Sequence, residues 1–130
     1  MSRVLRTLLI VSIVSSQDPV LDRCLNTAKT QLEMNTCAGD AAASMDGRMN
    51  DELRAVLRLA ENRETAAKIE AAQRAWIAYR DAYLEAIYPG ENKQELYGSS
   101  YPMNANLTRA ELTAAQIAAL QRLRDRYSRK

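Results

Sequence analysis

A chain of 130 residues, 47% hydrophobic and 26% charged, is one globular domain, which excludes a disordered tail, a fibre or two cores of ordinary size. It contains no histidine and only two cysteines, which rules out Ser-His-Asp and Cys-His catalysis, imidazole metal sites and a four-cysteine zinc site. The formal charge of +2 falls to zero once the leader described next is removed, so no bulk field draws the chain to nucleic acid or an anionic membrane.

The first sixteen residues read as an export signal, leaving 17–130 as a single helical domain. Arg3 and Arg6 form a positive start, Leu8 to Val14 an apolar stretch, and Val14-Ser15-Ser16 a run of small side chains before a cleavage point at Gln17. The stretch is far below the roughly 20 apolar residues of a membrane-spanning helix. Leu21-Asp22-Arg23, ahead of Cys24, is too bulky and charged for a lipoprotein anchor. The alternative is a buried N-terminal helix or strand. Export implies a periplasmic or secreted protein, and there Cys24 and Cys37 are each other's sole partners for a disulfide. Closing so short a loop is worth about 3 kcal/mol in the chain-entropy model.

Thr30-Gln31-Leu32-Glu33 is a capping box that opens the first long helix. Apolar or small residues follow in steps of three and four at Met34, Ala38, Ala41, Met45, Met49, Leu53, Val56 and Ala60, and the helix ends near Glu61-Asn62. Gly39 and Gly47 inside it point either to a close helix contact or to a kink near Gly39. A second helix is expected from about Glu64 to Tyr88, with the stripe Ile69, Ala72, Trp76, Tyr79, Tyr83 and Ala86, and Pro89-Gly90 stops it. A second capping box, Thr108-Arg109-Ala110-Glu111, places the start of a third helix whose basic end suits the negative pole of its dipole. The expected fold is all-α: two long antiparallel helices plus a third C-terminal helix, with a long loop between helices 2 and 3.

That loop, Pro89 to Leu107, is long enough to be a functional element. Tyr97, Ser99, Ser100 and Tyr101 surround its small-residue tip and have the composition of a protein-binding surface. The competing reading is that Tyr97, Tyr101 and Met103 tuck under the loop and plug the end of the bundle.

Several segments together resemble a known family. They are Cys24, the stretch Thr30-Gln31-Leu32-Glu33-Met34-Asn35-Thr36-Cys37-Ala38, Asp46 with Met49-Asn50, and Gln73-Arg74-Ala75-Trp76-Ile77-Ala78-Tyr79-Arg80-Asp81. Gly98-Ser99, Pro102-Met103 and Leu112-Thr113 complete the set. The chain resembles the lysozyme-inhibitor LprI-like N-terminal domain family, small, exported, mostly helical bacterial proteins, over about residues 22 to 125. It departs from that pattern where relatives often carry a second cysteine pair: Leu84 stands at one place and a residue near Asn106 to Thr108 at the other. Leu53 also replaces a usual tyrosine.

The resemblance implies inhibition of a lysozyme as an activity of the family. The residues themselves place Trp76, Tyr79 and Tyr83 against Met45, Met49 and Leu53, with Arg80 and Asp81 pairing to Asp46 or Asn50 at the seam. Asp46, Asn50, Trp76, Tyr79, Arg80 and Asp81 are thus expected to form a structural motif. Three functions compete. The first is a protein-binding inhibitor of a lysozyme-type muramidase that inserts the 97–103 loop, with Glu91 and Glu95 opposed only by Lys93 near its tip. The second is a structural or accessory envelope protein. The third, an enzyme using Asp81 with Glu85 or Glu91 with Glu95, finds no nucleophile-base pair, phosphate loop or metal cluster. The expectation is no catalysis, no cofactor and no metal.

Overall fold

The computed structural model describes residues 18–129, so the expected export signal and cleavage point lie outside the described residues. Within them the chain is helical throughout: α1 (Pro19–Thr27), α2 (Gln31–Arg58), α3 (Arg63–Ile87), α4 (Lys93–Tyr97) and α5 (Tyr101–Ser128). The all-α expectation holds.

Local chemistry sets most boundaries. The Asp18 carboxylate accepts from the amides of Val20 and Leu21 to start α1. Thr30 Oγ1 accepts from Glu33 N at 3.1 Å, so Thr30 caps α2 as expected, while Glu33 Oε2 reaches one residue past the cap to the amide of Lys29. Asn62 Oδ1 caps α3 by accepting from Thr65 N. α2 runs unbroken through Gly39, and a methyl group added there would meet Asn106 of α5 in ordinary van der Waals contact, at 3.8 Å.

The C-terminal helix differs from its expected span. α5 begins at Tyr101, so Thr108-Arg109-Ala110-Glu111 lies inside the helix and caps nothing. Pro102 is the physical reason: in the first turn its missing amide costs no hydrogen bond and its fixed φ suits a helix start. The irregular stretch therefore shrinks to the segment between Ile87 and Tyr101 and holds the five residues of α4. α1 adds a further helix ahead of the first capping box.

Cross-helix bonds give the directions of the bundle. Asn35 bonds to Ser99, Gln31 to Met103 and Gln121 to Glu52, so α2 and α5 run the same way. Their pairing is the most extensive contact in the molecule. Ala38, Ala42 and Ala105 are buried on these two helices, small enough to let the two backbones approach. α3 runs back along the groove that the two form, antiparallel to α2 as expected, with Arg80 near Asp46 and Thr113 and Gln73 near Gln116. Met49, Val56, Ile69, Ile117 and Leu120 form the apolar centre, with Met45, Leu53, Trp76 and Leu123 packed around it.

Candidate functional site

Two regions hold the side chains singled out from the sequence: the seam around Arg80 and the segment that joins α3 to α5. At the seam, Arg80 is buried, with 8% of its surface exposed, and a charge so placed must be paired. Its Nη1 donates to Asp46 Oδ1 at 2.7 Å and to Thr113 Oγ1 at 3.0 Å, and its Cζ lies 5.2 Å from the centroid of the Trp76 ring. Asp81 Oδ1 is 3.8 Å from Arg80 Nε. Thr113, fully buried, donates its own hydroxyl to the carbonyl of Arg109 at 2.8 Å. Two helical turns back along α3, Gln73 Oε1 accepts from Gln116 Nε2 at 2.9 Å.

The buried line of α3 is thus Ile69, Gln73, Arg80 and Leu84, rotated from the stripe read in the sequence. Trp76 is half-buried and joins the core, but Tyr79 and Tyr83 are 56% and 40% exposed, their rings 5.9 Å apart on the outer surface. The expected packing of both tyrosines against Met45, Met49 and Leu53 is corrected accordingly. A seam half made of polar residues hides from an apolar-periodicity reading, which favours the neighbouring aromatic line instead. Asn50 is exposed, and Asp46 takes the arginine. Thr113 and the two glutamines went unread as seam residues; their signal was their matching place on facing helices.

The connecting segment has a rigid base. Tyr88, Tyr97 and Tyr101 pack ring against ring, with centroids 5.1 Å apart for Tyr88 and Tyr97, 5.2 Å for Tyr88 and Tyr101 and 6.1 Å for Tyr97 and Tyr101. Tyr97 Oη donates to the Pro89 carbonyl at 2.7 Å. The Ser99 carbonyl accepts from Asn35 Nδ2, itself placed by Gln31, and so ties the segment to the start of α2. Ser99 is exposed, and Ser100, half-buried, stands at the head of α5 with its Oγ 3.4 Å from Asn104 Nδ2. Lys93 Nζ donates to Glu85 Oε2 at 2.7 Å and to the carbonyl of Tyr88. Asp81 and Glu85, the acid pair on α3, are therefore each engaged by a different cation.

The cysteines fix the other flank. Cys24 of α1 and Cys37 of α2 form a disulfide with their Cα atoms 5.7 Å apart. α1 itself buries no residue. Among the described residues no group of three or more acids and cysteines is placed to hold a metal ion, and no helix is long and apolar enough to cross a membrane.

This geometry accounts for several of the residues behind the resemblance: Thr30 caps, Gln31 and Asn35 buckle the connecting segment, Cys37 staples, and Trp76 and Arg80 fill the seam. No curated protein and no solved structure matches the chain. The family model described as "Lysozyme inhibitor LprI" matches residues 24–120, well over half of the sequence, and the chain belongs to that family.

Proposed function

We propose that the protein is exported and acts without catalysis, as a binding protein that inhibits a lysozyme-type muramidase through the segment between α3 and α5. The observation that carries this reading is the family match over residues 24–120. It is supported by the preorganised form of the segment, in which three tyrosine rings and the bond from Asn35 hold the backbone in place. A rigid loop loses little entropy on docking, so more of its contact energy appears as affinity. Tyr97 and Tyr101 supply the base, while the hydroxyls of Ser99 and Ser100 reach toward the two carboxylates of the target's cleft. The disulfide agrees with an oxidising compartment.

The experiment is a lysis assay with lysozymes of several classes, with and without the oxidised protein. Dose-dependent loss of lysis with at least one class, relieved by substitution of Ser99, Ser100, Tyr97 or Tyr101, is the expected result. Full lysis in every class at micromolar protein overturns the reading.

A further inference from the structure

We propose that the α4 projection is a leucine-tipped acidic contact, shaped for a cationic protein surface that carries an apolar notch. The proposal rests on the inhibitor reading above and specifies the contact chemistry of the same segment.

Leu96 is the anchor. It is 57% exposed although it belongs to a segment with a packed aromatic base. Its side chain lies over Gly90, whose backbone sits at φ 102°, a region glycine enters freely. A Cβ added at Gly90 would lie 2.6 Å from Leu96 Cδ1, so the leucine sits close against the turn. The adjoining Tyr97 ring is held by Tyr88, Tyr101 and the Pro89 carbonyl. An exposed apolar side chain beside a packed aromatic base suits the centre of an interface, where a few well-packed anchors carry most of the energy.

Charge gives the partner its sign. Glu91 and Glu95 are exposed on either side of Lys93, the only cation between Ile87 and Tyr101. Lys93 does not offset them outward: its side chain is 18% exposed and is spent on Glu85 and the Tyr88 carbonyl. The projection therefore presents two carboxylates and a leucine, with its positive charge turned inward. Local fields of this kind steer a cationic partner and raise its association rate, even where residues 17–130 sum to no net charge.

The test compares a strongly basic lysozyme with an acidic muramidase, using the oxidised protein and two variants. The protein should inhibit the basic enzyme by preference. Glu91→Lys with Glu95→Lys should slow association about tenfold at low salt and flatten its salt dependence. Leu96→Ser should raise the dissociation rate about tenfold, and Leu96→Met should restore most of the loss. Unchanged far-UV circular dichroism checks that the variants fold. If the protein inhibits but the variants match it, or if both enzymes are inhibited alike at all salt concentrations, the projection is not the contact and the inhibitor reading survives. If inhibition is lost in Tyr79→Ser with Tyr83→Ser and kept in the α4 variants, the contact lies on α3 instead. If the unaltered protein inhibits neither enzyme, both readings fall.

Discussion

Arg80 on α3 donates to Asp46 on α2 at 2.7 Å through the same nitrogen that lies 3.0 Å from Thr113 on α5, so one guanidinium joins all three long helices. The two partners are not equivalent, because the arginine is buried and the aspartate is part-exposed. Asp46→Ala leaves a buried cation short of its counter-charge and should cost about 1–3 kcal/mol. Arg80→Met keeps most of the volume and removes the charge that needed a partner. The freed Asp46 can hydrate, and Thr113 still bonds to the Arg109 carbonyl. Arg80→Met should therefore be the milder of the two changes. Urea denaturation of both variants gives the order, and a more damaging Arg80→Met would mean that the guanidinium holds the seam by shape and not by charge.

Trp76 and Tyr79 stand three residues apart on α3 yet should respond very differently to truncation. The tryptophan packs on the apolar centre and lies under the Arg80 guanidinium. Its replacement by alanine should cost about 2–4 kcal/mol, below the full value for a wholly buried ring because part of its surface is already wet. Tyr79 is mostly exposed, and Tyr79→Ala should stay within about 0.5 kcal/mol of the parent. Thermal melts of the two single variants separate these outcomes. Equal losses would return Tyr79 to the core.

Both results bear on what the amino-acid order disclosed. The two long helices from Gln31 and Arg63 follow from local signals: the Thr30 cap for the first, the Pro89-Gly90 stop for the second, and three-four spacing of apolar positions in both. The rotation of α3 was hidden because its inward line contains Gln73 and Arg80, whose burial depends on partners more than thirty residues away. The start of α5 was hidden by Pro102, which reads as a loop breaker except in the first turn of a helix. The connecting segment was found by composition, but which of its side chains face water depends on the Tyr88 contact and the inward turn of Lys93, neither of which is periodic.

The disulfide should act locally. Since α1 buries no residue, its attachment to the bundle leans on the Cys24–Cys37 bond. The chain-entropy model assigns a loop of this size about 3 kcal/mol. Reduction should therefore strip amide protection from 19–27 while the amides of α2 and α5 around Val56 and Leu120 keep theirs. Hydrogen exchange of the oxidised and reduced protein reads this directly. Uniform loss across all helices would show that the bond sustains the whole bundle, and unchanged α1 protection would show that packing alone holds the helix.

Ala38 tests the closeness of the two parallel helices. It is completely buried and lies beside Cys37 on the α2 face that meets α5, one residue before Gly39, whose Cα faces Asn106. Ala38→Leu adds three carbons to a space already filled, and overpacking of this kind costs about 1–3 kcal/mol as side chains and backbones shift. The strain should spread along the α2–α5 pairing toward its shared N-terminal end, loosening the bond from Asn35 to the Ser99 carbonyl. Ala38→Leu should thus lower the melting temperature and also raise hydrogen exchange in the segment before Tyr101. Ala43→Leu, at an exposed position of the same helix, should do neither. A stable Ala38→Leu protein with an unaltered segment would mean that the helices have room to spare and that the connecting segment is held by its tyrosines alone.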